Sequence, residues 1–159
     1  MDFKKYIKET PDFPKPGVSF KDISPLLKST WFPYAIHLMA GRVEVPDYWV
    51  GIDSRGFIFA SAIAATMGGG LIMCRKQGKL PPPIVSQSYS LEYGEDTLEI
   101  QPGTGKVVIV DDVYATGGTI NAVEQLCVKA GYEVIDKLVL IDLKYLHEPN
   151  NVKSLIQYE

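Results

Sequence analysis

Residues 107–122, VVIVDDVYATGGTINA, constrain the fold more than any other stretch of this sequence. The run from Lys106 to Val110 is almost entirely β-branched, as expected for a strand covered on both faces of a parallel sheet. Two aspartates follow it directly, and a loop of small residues then leads into a helix predicted from Ile120 to Ala130. Because parallel sheets bind ligands beyond the carboxyl ends of their strands, this pattern predicts an α/β fold with a ligand site after the strand.

The rest of the chain supports the same fold class, because strands and helices alternate along it. Periodicity and chain breakers predict further helices at about Trp31–Arg42 and Phe57–Met67, strands at Tyr48–Ile52, Leu71–Cys74 and Lys137–Ile141, and a hairpin of Ser86–Tyr93 with Thr97–Ile100 around Gly94-Glu95-Asp96. Prolines interrupt the first thirty residues too often for a long helix, so an irregular flap is expected there. We predict a mainly parallel central sheet flanked by helices, in a single domain spanning 1–159.

Composition and charge exclude several classes of protein. A net charge of −3 argues against a nucleic-acid partner held by bulk electrostatics. No stretch is apolar for long enough to form a signal peptide or a membrane span, so a cytoplasmic protein without a membrane partner is expected. Cys74 and Cys127 stand far apart in apolar surroundings, which predicts two buried free thiols in a reducing compartment.

The loop Ala115-Thr116-Gly117-Gly118-Thr119 has the composition of a phosphate-binding turn. Its glycines allow close approach of the backbone, its threonines add hydroxyl donors, and the following helix contributes positive partial charge at its N-terminus. A tight strand-to-helix turn with Thr119 as the N-cap explains the loop equally well when it is considered alone.

Three other kinds of site do not fit the sequence. Gly105-Lys106 resembles the end of a Walker P-loop, but Val107 replaces the required hydroxyl residue and a strand follows instead of a helix. No Gly-x-Gly-x-x-Gly occurs, and the acidic pair comes too late in the chain for a phospho-receiver domain. His37 and His147 have no nucleophile or metal partner at a recognisable spacing, so neither a triad nor a zinc site is expected.

A sugar phosphate explains why two aspartates precede an anion-binding loop. Asp111 and Asp112 can accept hydrogen bonds from vicinal ribose hydroxyls while the loop holds a 5′-phosphate. Nearby carboxylates also favour positive charge that develops at an anomeric carbon.

An apolar strand followed by Asp-Asp and Ala-Thr-Gly-Gly-Thr resembles the phosphoribosyl pyrophosphate motif of type I phosphoribosyltransferases. Five further stretches resemble the adenine branch of that family: DFPKPGVSFKDISPLL (12–27), GIDSRGFIFASAIA (51–64), RKQGKLP (75–81), SYSLEYGEDTLEIQ (88–101) and SLIQYE (154–159). The resemblance implies the type I phosphoribosyltransferase fold, with a base-binding hood at 1–30 and a flexible arm and catalytic hairpin at 75–101. It also implies transfer of a phosphoribosyl group to adenine, with Mg²⁺ carried by phosphoribosyl pyrophosphate rather than bound directly by protein groups.

The resemblance also assigns residues to the phosphoribosyl pyrophosphate site. Asp53-Ser54-Arg55-Gly56 matches the pyrophosphate loop, in which family members often hold a cis peptide, and Arg55 would contact the leaving group. Asp111 and Asp112 would bind the ribose hydroxyls, and Ala115, Thr116, Gly117, Gly118 and Thr119 the 5′-phosphate. Arg75, Lys76 and Lys79 lie in an arm that reaches a neighbouring subunit in the family, which implies a homodimer in which Arg75 contacts the partner's pyrophosphate.

The resemblance assigns base binding and proton transfer to two other stretches. Ser19, Phe20 and Lys21 match the segment that holds the base: Phe20 would stack on the purine, and backbone groups of Ser19 and Lys21 would read its edge. Glu92 and Tyr93 match the mobile hairpin, where Glu92 would act on the purine N7 and Gly94 would serve as the pivot. Many relatives have Arg in place of Lys21, so another purine base remains an alternative. A regulator that binds the ligand without turnover is a third possibility.

Overall fold

The structure is a computed structural model that describes residues 1–91 and 94–159. The chain divides into two compact units, Met1–Ile36 and His37–Glu159. The first unit contains a 3-10 helix at Phe3–Tyr6, strands β1 (Lys8–Thr10) and β2 (Phe20–Asp22), and helix α1 (Ser24–Lys28); helix α2 (Phe32–Ala40) begins in it.

The first unit is more regular than predicted, because β1 and β2 pair as an antiparallel ribbon in which Glu9 lies opposite Lys21. The prolines that indicated an irregular flap fall mainly in the connection between these strands, and Pro25 lies in the first turn of α1, where a missing N–H costs nothing. The expectation that no long helix forms in this segment is confirmed.

The second unit is built on a seven-stranded sheet with the order β5-β6-β4-β3-β7-β8-β9. Its strands are β3 (Tyr48–Ile52), β4 (Gly70–Lys76), β5 (Val85–Leu91), β6 (Gly94–Ile100), β7 (Gly105–Tyr114), β8 (Tyr132–Leu143) and β9 (Lys153–Tyr158), and its helices are α3 (Arg55–Met67), α4 (Gly118–Ala130) and a 3-10 turn at Lys144–Leu146. Strands β4, β3, β7, β8 and β9 are parallel, and β5 and β6 form an antiparallel hairpin at one edge. The predicted α/β architecture is confirmed.

The centre of the sheet is buried as its apolar sequence requires. Val107, Val108, Ile109 and Val110 are all 0% exposed, so β7 is covered on both faces. Helix α3 packs closely on β3, because a Cβ atom added to Gly51 would lie only 2.9 Å from the Cβ of Ala60. Cys74 and Cys127 are free and buried, as predicted, and burial raises the pKa of the Cys127 thiol to about 12.

Several strand limits differ from the predictions; β8, for example, begins at Tyr132 and not at Lys137. The hairpin turn was expected at Gly94-Glu95-Asp96, but these residues belong to β6, and Leu91 pairs with Gly94. Turn-forming residues are tolerated there because the strand end is exposed at Gly94 and Glu95. Strand β7 continues beyond Val110 to Tyr114, so both aspartates lie within it. The sequence pattern did not identify β9 as a strand.

Candidate active site

Two cavities lie at the carboxyl ends of β3 and β7. The smaller one, about 90 Å³, is enclosed by the β7–α4 connection and is called the loop cavity; the other, about 490 Å³, is called the larger cavity. Asp111 and Thr119 line both, so the two spaces are adjacent. The loop cavity is lined by Asp111 and by Val113 to Ile120, and the larger cavity by Ile52, Asp53, Ser54, Arg55, Lys76, Lys79, Tyr89, Asp96, Asp111, Asp112 and Thr119.

The loop cavity ends at the N-terminus of α4. Gly117 is the N-cap, with φ +92°, so the alternative in which Thr119 caps the helix is wrong, and Thr119 lies in the first turn. The first intrahelical hydrogen bond runs from the N–H of Asn121 to the carbonyl of Gly117, which leaves the N–H groups of residues 118 to 120 without intrahelical acceptors. An N-cap without a side chain therefore leaves these donors available to an anion.

Two glycines in this loop have different roles. Gly117 has a left-handed backbone, and a Cβ atom there would collide with the hydroxyl of Tyr114, a buried residue at the end of β7. Gly118 has room for a side chain, since the nearest atom to a Cβ added there would be Oγ1 of Thr116 at 3.9 Å. Gly117 is therefore required by its left-handed backbone and by the lack of space for a side chain. A side chain at Gly118 fits without a clash, so a substitution there tests what the loop cavity binds.

The two aspartates have different surroundings. Asp112 is buried, and its Oδ2 lies 2.8 Å from Nε of Arg55. The Oδ1 of Asp111 accepts a hydrogen bond from the N–H of Asp112 at 2.9 Å. Burial raises the pKa of Asp111 well above its ordinary value, and the neighbouring charge of Asp112 raises it further, while that hydrogen bond acts in the opposite direction. A negative charge on Asp111 is therefore costly to the fold.

The segment Asp53–Gly56 joins β3 to α3 and meets the end of β7. The peptide bond between Asp53 and Ser54 is cis, in agreement with the expectation from the resemblance. A Cβ atom on Gly56 would lie 2.9 Å from the carbonyl oxygen of Val110, so glycine allows the first turn of α3 to approach β7. This approach brings Arg55 to Asp112.

Basic residues of the arm surround Asp53. Its Oδ2 lies 3.5 Å from Nε of Arg75 and 3.7 Å from Nζ of Lys79, and it accepts a hydrogen bond from the N–H of Lys76 at 3.4 Å. Nε of Arg75 is buried and finds no hydrogen-bond acceptor in the described part of the chain. Arg75 thus lies against Asp53 of its own chain, while Lys76 and Lys79 line the larger cavity beside Arg55.

Tyr89 and Asp96 are cavity residues that the sequence reasoning missed. They lie opposite each other in the β5–β6 hairpin and both line the larger cavity. Burial raises the pKa of Tyr89, and a hydrogen bond with the Thr119 side chain has the opposite effect. The available signal was alternation, since Val85, Gln87 and Tyr89 are the less exposed positions of β5.

The remaining predicted residues belong elsewhere. Glu92 and Tyr93 lie outside the described residues. Ser19, Phe20 and Lys21 belong to the first unit. There the Nζ of Lys21, whose side chain is 5% exposed, lies 2.9 Å from Oε2 of Glu9 and donates to Oγ of Ser19 at 3.3 Å. The Phe20 ring stands nearly perpendicular to Phe13, with 5.2 Å between ring centroids.

Comparison with known proteins places this site in a family. Residues 35–154 match the model of the phosphoribosyl transferase domain. The adenine phosphoribosyltransferase of Bdellovibrio bacteriovorus is 48% identical to the chain over 165 residues, covering 99% of the chain and 100% of that protein.

Two solved structures are similar over almost their whole length. Adenine phosphoribosyltransferase from Thermoanaerobacter pseudethanolicus has a TM-score of 0.90 at 40% identity, with 98% of each chain covered. The enzyme from Saccharomyces cerevisiae, crystallised with an imino-altritol bisphosphate and adenine, has a TM-score of 0.84 at 30% identity and covers 97% of this chain and 95% of its own. The chain therefore belongs to the phosphoribosyl transferase family, with the type I fold, and groups with its adenine phosphoribosyltransferases.

Proposed function

We propose that the chain transfers the 5-phosphoribosyl group of phosphoribosyl pyrophosphate to adenine and releases AMP and pyrophosphate, as in purine salvage. The observation that carries the proposal is that Asp111 lines both cavities, so that a ligand with a phosphate at one end and a diphosphate at the other fits across them. The high identity to proteins called adenine phosphoribosyltransferase supports the choice of base.

The loop cavity holds the 5′-phosphate in this proposal. Backbone N–H groups at the start of α4 donate to the phosphate oxygens, and the hydroxyls of Thr116 and Thr119 add donors. No basic side chain lines this cavity, among the residues that the structure describes, so its attraction for an anion comes from aligned N–H groups and the helix N-terminus.

Asp111 and Asp112 bind the ribose hydroxyls. In the reaction the purine N9 forms a bond to C1 while the bond from C1 to the pyrophosphate oxygen breaks, and the purine loses a proton. Positive charge develops at C1, and the two carboxylates favour it. The ion pair between Arg55 and Asp112 keeps the guanidinium beside the place where the leaving group departs.

The larger cavity takes the diphosphate. Arg55, Lys76 and Lys79 line it, and Arg75 lies behind Asp53 with a buried N–H that lacks an acceptor among the described residues. Arg55, Lys76 and Lys79 neutralise the departing pyrophosphate.

Mg²⁺ fits the same cavity as part of the substrate complex. Its lining includes the carboxylates of Asp53, Asp96, Asp111 and Asp112, but no three acidic, His or Cys side chains among the described residues are placed to hold a metal ion, so Mg²⁺ would enter on the diphosphate. The metal, when bound to the diphosphate, supplies charge neutralisation of the leaving group.

The base is held by the first unit and acted on by the hairpin. Phe20 stacks on the purine; because Glu9 and Ser19 engage the Lys21 side chain, we assign recognition of the purine edge to backbone groups. Glu92 takes or relays the proton at the purine N7, with Tyr93 beside it. Tyr89 ties the hairpin to Thr119, which helps to exclude water from the activated ribose.

The active form is a cytoplasmic homodimer in this proposal. Leu71 and Met73 of β4 are 42% and 43% exposed, and Ile58 and Met67 of α3 are each 38% exposed. Large apolar side chains at such exposure are typical of a surface that another subunit covers. No helix in residues 1–91 and 94–159 combines the length and apolarity needed to cross a bilayer.

An assay with each base separately tests the function. Purified protein, Mg²⁺ and phosphoribosyl pyrophosphate are combined with adenine, hypoxanthine or guanine, and nucleotide and pyrophosphate are quantified. We expect AMP and pyrophosphate in equal amounts with adenine and little product with the oxopurines. Turnover of only an oxopurine would change the assigned base, and ligand binding without turnover would indicate a regulator.

A further inference from the structure

His147 lies in a hydrogen-bonded cluster behind the loop cavity that the proposed reaction does not use. Its side chain is 8% exposed, and its Nε2 lies 2.6 Å from Oδ1 of Asp142, which is itself 4% exposed. Its Nδ1 lies 2.7 Å from the carbonyl oxygen of Glu148. The sequence alone indicated no partner for this histidine. The 3-10 turn between Asp142 in β8 and His147 brings the two side chains together, and no sequence pattern marks that contact.

The geometry indicates a protonated imidazole. A carboxylate and a backbone carbonyl both accept hydrogen bonds, so each ring nitrogen is a donor and the ring carries a positive charge. Nδ2 of Asn150 also approaches Nδ1, but at 3.1 Å it is the longer contact. The hydrogen bond to Glu148 and the Asp142 carboxylate raise the pKa of His147, against the effect of burial.

The cluster reaches the loop through Tyr114. Asp142 and Tyr114 are neighbours across β7 and β8. The rings of His147 and Tyr114 are nearly perpendicular, at 83°, with centroids 4.8 Å apart. The Tyr114 hydroxyl occupies the space in which a side chain of Gly117 would lie, and Tyr114 lines the loop cavity. A continuous path of contacts thus runs from Asp142 through His147 and Tyr114 to the turn that begins α4.

We propose that His147, held by Asp142, is a positioning residue for the 5′-phosphate loop and acts through the ring of Tyr114. The inference rests on the proposed assignment of the loop cavity to the 5′-phosphate. The phosphate is remote from C1 and is bound equally in the substrate and the transition state. Loss of this support therefore raises KM for phosphoribosyl pyrophosphate and leaves kcat nearly unchanged.

The test replaces His147 without leaving Asp142 unpaired. His147→Gln keeps a side-chain donor and removes the charge, and His147→Arg keeps both the charge and donors that suit a carboxylate. His37→Gln, at an exposed position of α2, is the matched control. We expect His147→Gln to raise KM for phosphoribosyl pyrophosphate and the Kd for ribose 5-phosphate roughly 3- to 30-fold, with KM for adenine unchanged. His147→Arg should stay close to the unmodified protein.

The pH dependence of KM for phosphoribosyl pyrophosphate distinguishes a role of the His147 charge from a purely structural role. The groups that face or adjoin the ring are Asp142 from β8, Lys144 from the 3-10 turn, Tyr114 from β7 and Glu159, which follows β9 and shares a cavity with it. The hydrogen bond to Glu148 and the Asp142 carboxylate raise the pKa of His147, so KM for phosphoribosyl pyrophosphate should rise as the pH increases through the folded-state value. The Arg variant should not show this rise.

Gly118→Asp separates failure of the inference from failure of the site assignment, because it places a carboxylate in the loop cavity. If Gly118→Asp abolishes ribose 5-phosphate binding but His147→Gln changes nothing, the inference is wrong and the site stands. If neither variant weakens binding, the site assignment is wrong and the inference fails with it. An Arg variant as weak as the Gln variant, or equal losses in kcat and in both KM values, would also overturn the inference.

Discussion

The ionised Asp111 carboxylate lowers the stability of the fold and also has a proposed role in binding ribose. Its pKa is raised by burial and by the charge of Asp112, so the protonated form is more favourable in the folded chain than in the unfolded chain. A group with a raised folded-state pKa contributes stability below its ordinary pKa, and this contribution is lost as the pH rises through the folded-state value. At neutral pH and above, the ionised carboxylate therefore lowers stability, while the proposed ribose contact requires it.

Asp111→Asn should separate these two effects. Asparagine keeps the oxygen that accepts from the N–H of Asp112 and removes the charge. We expect Tm at pH 8 to rise by about 2–4 °C for a chain of this size, and affinity for phosphoribosyl pyrophosphate to fall. Differential scanning calorimetry and calorimetric titration measure the two quantities. Asp112→Asn is the control: it removes an ion pair with Arg55 and should not raise Tm. A lower Tm for Asp111→Asn would contradict the account.

The residues of the site were predictable where an apolar run of sequence leads directly into them. Asp111, Asp112 and the loop after them could be identified because an apolar run leads into them. The contacts of Asp53 with Arg75 and Lys79 join residues more than twenty positions apart in sequence, and periodicity carries no information on such pairs. The pairing of Lys21 with Glu9 depends on the register of β1 and β2, which the prolines between them obscured.

The β5–β6 hairpin is attached to α4 at two points, near its beginning and near its end. Nζ of Lys129 in α4 donates to the carbonyl of Ser86 at 2.9 Å, and the Tyr89 side chain bonds with Thr119. The strand pattern predicted the hairpin correctly. Its turn was wrongly predicted at Gly94-Glu95-Asp96, because turn-forming residues also occur at the exposed end of a strand. Strand β9 was missed because no strong alternation marks it beyond its buried Ser154 and Ile156.

Tyr89→Phe tests the attachment of the hairpin. The change removes one hydroxyl and keeps the ring, so it breaks the bond to Thr119 without opening a cavity. We expect kcat/KM for phosphoribosyl pyrophosphate to fall about 2- to 10-fold, the value of one neutral hydrogen bond, and release of pyrophosphate without adenine to increase. Steady-state kinetics with and without adenine measure both effects. Tyr145→Phe, at a side chain 52% exposed, is the matched control. Unchanged kinetics would show that the Tyr89 hydroxyl has no role in closing the site.

Arg75 is the site residue whose role depends on the assembly of two subunits. The family resemblance implies that it acts on the partner's diphosphate, yet Nε of Arg75 lies 3.5 Å from Oδ2 of Asp53 in its own chain. The same strand carries exposed Leu71 and Met73, so Arg75 stands next to the proposed dimer surface.

Mixed dimers show whether Arg75 acts in the site of its own subunit or in the site of the partner subunit. Arg75→Ala and Asp111→Asn subunits are each assayed alone, where we expect little activity, and are then denatured, mixed and refolded, and the mixed species is confirmed by differently tagged chains. If the site is shared, each mixed dimer has one intact site, and random assembly restores roughly one quarter of the activity. Confirmed mixed dimers without recovery would show that Arg75 acts within its own chain.

In the proposed function, the two adjacent cavities hold the two ends of one phosphoribosyl pyrophosphate. Calorimetric titration of ribose 5-phosphate and of magnesium pyrophosphate into Gly118→Asp and Lys79→Gln variants tests it most directly, with Gly118→Asn as the uncharged control. We predict that Gly118→Asp weakens ribose 5-phosphate binding at least about tenfold through like-charge repulsion and barely affects pyrophosphate, and that Lys79→Gln does the reverse. Equal weakening of both ligands by both variants, or ribose 5-phosphate binding that survives Gly118→Asp, would contradict it.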